Sequence, residues 1–347
     1  MQCVRKRWPS FLSCLGFAFE QSWALALWSS LPWLIGWATL TMMGPVLAAR
    51  VLYRAYNVVV DKVFYNDKAL CGKVIMITGA SSGLGEAMAH AFYKRGARLI
   101  LASRSVEKLT KLKDTLVKSY VPPELHMPSV VELDLEDLNN IAVVAKELIR
   151  IHGHIDVLIN NAGISYRGAV IDTDISVDIK LMVINYFAQV ALTKAFLPTM
   201  LERRSGHIIA VGSVQSKLAI PYRSCYTASK HAMQGFFDSL RAEVAERNVK
   251  VSVINPGYIS TNLSLNAVTG DGSTYGNMDE TTASGMKPEE VAEQIVSCII
   301  SGYEELVLAP LSHRVAINLR TISPSLLSRV MKRRAAKQKN LYASKED

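Results

Sequence analysis

The 347-residue sequence lacks several patterns that would point to other classes of protein. Its five cysteines, at positions 3, 14, 71, 225 and 298, show neither the paired nor the His-containing spacing of metal sites, so we interpret them as free thiols. The sequence contains no internal repeat, no low-complexity tract and no nucleic-acid-binding motif. These absences argue against a disulfide-stapled module, a metal site and a repeat array. The length suits one or two domains with a full core.

Charge is absent from one long stretch near the amino terminus. The 29 residues of Gln21–Ala49 include no charged side chain. Because about 20 apolar residues cross a bilayer, we expect a membrane anchor at about residues 24–49, inside an amino-terminal extension and linker spanning residues 1–70. A cleaved secretory signal is the alternative, since residues 5–7 are basic, but the apolar run is long and no clear cleavage site follows. Basic residues on both sides leave the orientation open.

Acidic residues are scarce at the other end of the chain. The formal net charge is +9, and from Leu311 onward nine basic residues stand against Glu346 and Asp347, which places +7 of that charge in residues 311–347. Apolar residues such as Leu326 and Val330 interrupt the basic ones, a pattern typical of an amphipathic helix on anionic lipid. A solvated helix with a disordered end is the alternative. The rest of the chain is almost neutral, which argues against a nucleic-acid partner.

A glycine-rich stretch follows the first buried-strand pattern. Residues 73–78 form a short apolar run, and Thr78-Gly-Ala-Ser-Ser-Gly-Leu-Gly85 leads directly into a helical pattern. Glycine permits tight turns and close backbone approach to a phosphate, and the following helix amino terminus offers free N–H groups. The sequence therefore predicts a dinucleotide-binding turn.

Strand and helix patterns then alternate as far as residue 310. This rhythm predicts an α/β domain over residues 71–310, built on a single Rossmann-type, doubly wound parallel sheet. We expect helices at 106–119, 138–152, 175–201, 226–247 and 288–301, and strands near 130–134, 156–160, 206–213, 249–254 and 306–309. The long polar segment 258–286 is typical of an active-site lid.

Tyr226 and Lys230 form the central chemical pattern. Residues four apart share one face of a helix, so the phenol and the ammonium can point to one place. A free phenol titrates near pH 10, and a neighbouring cation lowers that value. We therefore expect Lys230 to lower the pKa of Tyr226. Taken alone, the spacing is common on solvated helices.

Together these motifs resemble the short-chain dehydrogenase/reductase family over residues 70–310. The family's cofactor turn, Thr-Gly-x-x-x-Gly-x-Gly, is complete at 78–85, its Asn-Asn-Ala-Gly turn stands at 160–163, and its Pro-Gly pair stands at 256–257. Ser213 precedes Tyr226 by the family's thirteen residues. The resemblance implies pairing of two copies through the helices that contain Asn185 and Tyr226, which makes a homodimer an expectation.

The resemblance also implies a role for each matched residue. The catalytic set is Ser213, which holds the substrate oxygen, Tyr226, which moves the proton, Lys230, which holds the nicotinamide ribose, and Asn185, which supports a relay water. The implied cofactor-binding residues are Thr78, Gly79, Ser81, Ser82, Gly83, Leu84, Gly85, Ser103, Arg104, Asp134, Leu135, Asn161, Ala162, Gly163, Tyr226, Lys230, Pro256, Gly257, Ile259 and Thr261.

The residue after the second strand selects the coenzyme in this family. An acid there binds the ribose hydroxyl of NAD, whereas this chain has Arg104, which offers a forked pair of donors to the extra phosphate of NADP. We therefore expect NADP(H), with NAD(H) as the alternative.

The expected function is a membrane-anchored, NADP(H)-dependent oxidoreductase that interconverts a carbonyl and a secondary alcohol on a hydrophobic or lipid substrate. Arg167, Lys217 and Arg223 are expected near the cleft, where they would bind a phosphorylated head group such as that of an acylated dihydroxyacetone phosphate. Surface charge is the alternative for these three residues. The alternative functions are an NAD-dependent sterol or retinol dehydrogenase and a catalytically idle cofactor-binding scaffold. The expected location is the endoplasmic reticulum membrane through a single anchor, with the peroxisomal membrane as the alternative.

Overall fold

A computed structural model describes Ala49 and the residues numbered 67–121 and 126–342. The predicted anchor, apart from its last residue, lies outside the described residues, and so does the end of the chain from residue 343. The anchor therefore stays a prediction.

Seven parallel strands form one sheet in the order β3-β2-β1-β4-β5-β6-β7. The strands are β1 (Val74–Thr78), β2 (Arg98–Ser103), β3 (Ser129–Glu132), β4 (Val157–Asn160), β5 (Gly206–Val211), β6 (Val249–Pro256) and β7 (Glu305–Leu308). The chain builds outward from β1 to one edge and then restarts at β4 on its other side, which confirms the doubly wound sheet. Such a reversal leaves a crevice at the carboxyl ends of β1 and β4.

Helices connect the strands and cover the sheet. They are α1 (Gly83–Tyr93), α2 (Val106–Ser119), α3 (Leu138–His152), α4 (Ile175–Met182), α5 (Ala188–Arg203), α6 (Ser224–Val244), α7 (Glu280–Ala283), α8 (Pro288–Ser301), α9 (Leu311–Ile322) and α10 (Pro324–Tyr342). The predicted bounds of α2, α3 and α8 agree with the structure, whereas the predicted strand ends agree or differ by one or two residues. Strands such as β1 are buried along their whole length because helices cover both faces.

The helix predicted at 175–201 is interrupted by a π-helical turn, Val183–Phe187, between α4 and α5. Inside this turn the Asn185 amide bonds to the backbone of Ile164 in the loop after β4. π-Turns of this kind often mark functional sites. The run Ile175–Arg203 is long and apolar enough to cross a bilayer by composition. However, Leu192 and Phe196 pack in the main hydrophobic core, and Val177 and Leu181 pack in a second buried cluster. We therefore interpret it as a core helix.

Candidate active site

A cleft of about 680 Å³ opens at the carboxyl ends of the strands. All twenty residues predicted to bind the cofactor line it, and so does Ser213. Asn185 is fully buried and is absent from the lining of this cleft. The fold thus brings the predicted cofactor-binding residues and Ser213 to one cleft, while their individual roles stay predictions.

The glycine turn is shaped for close approach of a phosphate. Gly79 and Gly83 have φ values of +66° and +59°, in the left-handed region where a side chain is strained. A Cβ on Gly85 would lie 2.1 Å from the carbonyl oxygen of Gly79. Ser82, the residue before α1, is extended and makes no side-chain cap. The backbone N–H groups at the start of α1 are therefore available to an anion, and the turn fits the pyrophosphate of a dinucleotide.

Thr78 and Asn161 join the carboxyl ends of β1 and β4. The Thr78 hydroxyl accepts the backbone N–H groups of Asn161 and Ala162 at 3.0 and 3.1 Å and donates to the carbonyl of Ile159 at 3.2 Å. The Asn161 amide donates to the Thr78 carbonyl at 2.9 Å. These bonds hold the glycine turn against the Asn-Asn-Ala-Gly turn.

The end of the cleft next to β2 and β3 carries both signs of charge. Asp134 accepts the backbone N–H of Glu136 through Oδ1 at 2.9 Å. Arg104 pairs with Glu136 at 3.4 Å, and its side chain remains 65% exposed, so solvent weakens this pair. Lys108, which the sequence interpretation missed, also lines the cleft here. It lies in the first turn of α2, four residues after Arg104, a position that the helical pattern could have indicated.

Tyr226, Lys230 and Ser213 meet at the inner wall of the cleft. Tyr226 and Lys230 are 6% and 3% exposed, and the Lys230 Nζ lies 5.8 Å from the centroid of the Tyr226 ring. Ser213 lies two residues after the end of β5 and makes a side-chain hydrogen bond with Tyr226. The Lys230 ammonium donates to the carbonyl of Val211 at 3.0 Å.

The expected acidification of Tyr226 by Lys230 is wrong for this structure. Burial raises the pKa of Tyr226, and the hydrogen bond with Ser213 and the positive charge of Arg223 lower it by less. Burial also lowers the pKa of Lys230, to about 8. The free-energy cost of removing the phenolate from water exceeds the stabilisation that its neighbours supply. The Lys230 ammonium, meanwhile, is directed at the carbonyl of Val211. At neutral pH the phenol therefore carries its proton.

Asn185 uses its amide to hold the loop after β4. Its Oδ1 accepts the N–H of Ile164 at 2.9 Å, and its Nδ2 donates to the Ile164 carbonyl at 2.9 Å and to the Ser229 hydroxyl at 3.0 Å. These bonds tie the π-turn, the loop and helix α6 together. The support of a relay water by Asn185 stays a prediction.

A buried charge cluster lies beside Tyr226. Arg167 and Arg223 line the cleft, are each 4% exposed, and both donate to Oδ2 of Asp279, at 2.6 and 3.0 Å. Lys217, grouped with them in the sequence analysis, is absent from the cleft lining and pairs with Glu305 at 2.7 Å. Sequence reasoning missed Asp279. Two arginines close to a cleft indicate a carboxylate partner, and this signal could have identified Asp279.

Segment 258–286, expected to be a lid, is held across the cleft by side chains. Ser264 is buried, accepts from Arg167 at 3.4 Å and accepts the Asp279 N–H at 3.3 Å. Tyr258 lines the cleft at the start of this segment. Arg167 and Asp279 therefore fasten the segment to the loop after β4.

Comparison with known proteins gives consistent relatives. A family model described as short chain dehydrogenase matches residues 73–271. A Dehydrogenase/reductase SDR family protein 7-like of Drosophila melanogaster is 47% identical over 90% of this chain and 94% of its own length. Dehydrogenase/reductase SDR family member 7B of Bos taurus is 52% identical over 77% of this chain and 82% of its own. Segments 160–168 and 256–264 predict a likeness to member 7B, which these identities confirm.

A solved structure supports the same relationship. The crystal structure of a short chain dehydrogenase from Burkholderia cenocepacia, in complex with NADP, superposes with a TM-score of 0.61 at 26% identity, over 76% of this chain and 98% of that chain. That protein has the same fold as this chain and binds NADP.

Gly85→Ala tests the glycine turn. The new Cβ would clash with the Gly79 backbone, which would have to move. We therefore expect binding of a nicotinamide dinucleotide to weaken at least about tenfold, the effect of about 1.4 kcal/mol. Calorimetric titration with NADPH and NADH measures it. Gly235→Ala is the matched control, since nothing lies within 4 Å of its Cβ position on α6. Unchanged affinity in Gly85→Ala would contradict the assignment of this turn to the pyrophosphate.

Proposed function

This chain belongs to the short-chain dehydrogenase/reductase family and is an oxidoreductase that uses a nicotinamide cofactor, and we propose that it interconverts a carbonyl and a secondary alcohol on a hydrophobic substrate with NADP(H). The carrying observation is the buried Ser213–Tyr226 pair in the same cleft as the glycine turn. A protonated phenol beside a hydroxyl suits delivery of a proton to a carbonyl oxygen.

The proposed roles follow from the positions of the side chains. When bound, the nicotinamide would supply or accept the hydride. The Ser213 hydroxyl orients the substrate oxygen, and Tyr226 Oη gives up its proton to that oxygen in the reductive direction. Since the pKa of Tyr226 is raised, the phenol is protonated at neutral pH and is ready to act as an acid. Lys230 would hold the ribose from the inner wall, and Asn185 ties the loop after β4 to α6.

Tyr226→Phe tests the proton step. Phenylalanine keeps the buried ring and removes the only proton that this position can transfer, so we expect turnover to fall about 100-fold or more. The dissociation constant for NADPH should change by less than about threefold, which fluorescence titration checks. Turnover at the wild-type rate on a panel of carbonyl compounds would end the assignment of Tyr226.

The preference for NADP(H) rests on Arg104. This residue follows β2, lines the cleft and presents a side chain that is largely in water. A phosphate on the adenosine ribose would form a charge-assisted hydrogen bond with the Arg104 guanidinium. Glu136 competes only weakly for Arg104, because the contact between these two side chains is exposed to solvent. Lys108 adds a second cation to this end of the cleft.

Arg104→Ala tests the coenzyme preference. Loss of a charge-assisted bond of about 1.5–3 kcal/mol should raise the KM for NADPH about 10- to 100-fold and leave that for NADH almost unchanged. Arg98→Ala is the matched control, because Arg98 is an exposed arginine at the opposite end of the same strand. Steady-state kinetics with both coenzymes measures the ratio. An unaltered NADPH-to-NADH ratio would refute the role of Arg104.

We further propose that the substrate has an anionic head group. The cluster of Arg167, Arg223 and Asp279 contains two cations and one anion, and both guanidiniums line the cleft. Water screens buried charges poorly, so the excess positive charge of this cluster favours a phosphate or carboxylate close to Tyr226. Val214, Leu263 and Val268 also line the cleft and suit an apolar chain.

Two matched ketones, one with a phosphate and one without, test this proposal. We expect wild-type kcat/KM to favour the phosphorylated ketone at least about tenfold, and Arg223→Gln to lower that preference by most of this factor, the effect of about 1.4 kcal/mol. The ratio of the two kcat/KM values reports recognition of the phosphate alone, because any effect of Arg223 on Tyr226 would slow turnover of both ketones equally. Lys217→Gln, outside the cleft lining, is the control. Equal wild-type rates for the two ketones would overturn the anionic head group.

The proposed location is the endoplasmic reticulum membrane or, alternatively, the peroxisomal membrane. Support comes from the sequence, in which the uncharged run Gln21–Ala49 is long enough for one span. A single anchor would keep the cleft close to hydrophobic substrates in the bilayer.

A further inference from the structure

The last two helices, α9 and α10, carry charge of one sign. They lie beyond residues 73–271, which the family model matches. From residue 311 to residue 342 the chain has no Asp or Glu, and its eight basic residues are Arg314, Arg320, Arg329, Lys332, Arg333, Arg334, Lys337 and Lys339. A helix pair that only covered the protein would not need so uniform a charge.

Helix α10 divides into two faces. Its inner face includes Leu327, which is buried, and Met331 and Ala335, which are half-buried at intervals of four residues. The outer face carries Arg329, Arg333 and Lys337, all exposed and also four residues apart. The basic stripe therefore points away from the packed side of the helix.

Large apolar residues are exposed on the same two helices. Leu311, Val315 and Ile322 are 76%, 54% and 80% exposed, and their spacing of four and seven residues places them on one face of α9. On α10, Leu326 and Val330 are each 47% exposed and lie four residues apart. Exposed apolar side chains beside basic ones are the pattern of helices that lie in a membrane interface.

The same helices contact residues at the cleft. The Arg334 guanidinium donates to the hydroxyl of Tyr258 at 3.1 Å, and the His313 ring lies 6.0 Å from the Tyr258 ring. The hydroxyl of Tyr222 donates to the carbonyl of Ala335 at 3.3 Å. Because Tyr258 lines the cleft, α9 and α10 border one side of the active site.

We propose that the exposed faces of α9 and α10 form a docking surface for an anionic lipid bilayer. This tail surface consists of Leu311, Val315, Ile322, Leu326, Arg329, Val330, Arg333 and Lys337. Basic side chains near an anionic membrane contribute about 1 kcal/mol each, and the apolar side chains add burial in the interface. Docking of this surface sets the cleft beside the lipid, so a hydrophobic substrate enters without crossing water. The last consequence rests on the proposed function, whereas lipid binding does not.

Hydrogen exchange of the full chain in lipid nanodiscs tests the docking surface directly. The discs contain phosphatidylcholine alone or with about 30% phosphatidylserine, a fraction chosen to give a negative surface. We expect amides of residues 311–338 to exchange at least about threefold more slowly on the anionic discs, and high salt to remove the difference by screening. Equal exchange on both discs would overturn the proposal and would leave an acidic protein as the occupant of this surface.

Two charge-reversal variants distinguish binding by this surface from a general effect of the protein's net charge. The test variant is Arg329→Glu/Arg333→Glu/Lys337→Glu, and the control, with the same change in charge at exposed positions elsewhere, is Lys118→Glu/Lys146→Glu/Arg247→Glu. We expect the test variant to lose the slower exchange and the control to keep it, with wild-type exchange of α10 on neutral discs in both. Loss in both variants would refute a specific surface.

Enzymatic activity is a separate readout for the same two variants. Turnover of a bilayer-dissolved ketone should fall in the test variant only, while turnover of a water-soluble carbonyl stays constant.

Discussion

The hydroxyl of Thr78 is the junction on which the rest of the site depends. It accepts two backbone N–H groups from the loop after β4 and donates to the end of that strand, so the carboxyl ends of two neighbouring parallel strands cannot separate. The glycine turn leaves from one side of this junction and the Asn-Asn-Ala-Gly turn from the other. These bonds hold the two turns side by side, and a site that positions a cofactor needs such support from its surroundings.

Burial of Tyr226 has two consequences for the chemistry. It raises the pKa of the phenol, so the proton is retained at neutral pH, and it strengthens the electrostatic effect of each nearby charge. Arg223 is such a charge, and its contact with Asp279 connects the environment of the phenol to segment 258–286. The electrostatics at Tyr226 therefore depend on how that segment lies across the cleft.

Positive charge occurs in two different environments. Arg167 and Arg223 are buried and share one carboxylate, which makes them suited to a specific group at a defined position. The basic residues of α10 are exposed, so salt screens them and they suit a diffuse anionic surface. Arg334 connects the two regions, since its side chain extends from α10 and donates a hydrogen bond to Tyr258 at the cleft.

Local patterns account for much of what could be predicted. Apolar periodicity placed α2, α3 and α8 correctly because an amphipathic helix is encoded within a dozen neighbouring residues. The π-turn at 183–187 escaped prediction, since it follows from bonds between Asn185 and a loop twenty residues away. The grouping of Lys217 with the two arginines failed for a similar reason, because its partner Glu305 lies on the last strand.

The sequence by itself determined the sheet, the glycine turn, the family and the residues predicted to bind the cofactor, because each depends on short motifs whose order along the chain sets the topology. Only the tertiary structure decided the protonation of Tyr226, the direction of the Lys230 ammonium and the pairing of Arg167 and Arg223 with Asp279. Those features depend on burial and on contacts between distant segments. Desolvation acts on a charge through everything packed around it, which no spacing along the chain records.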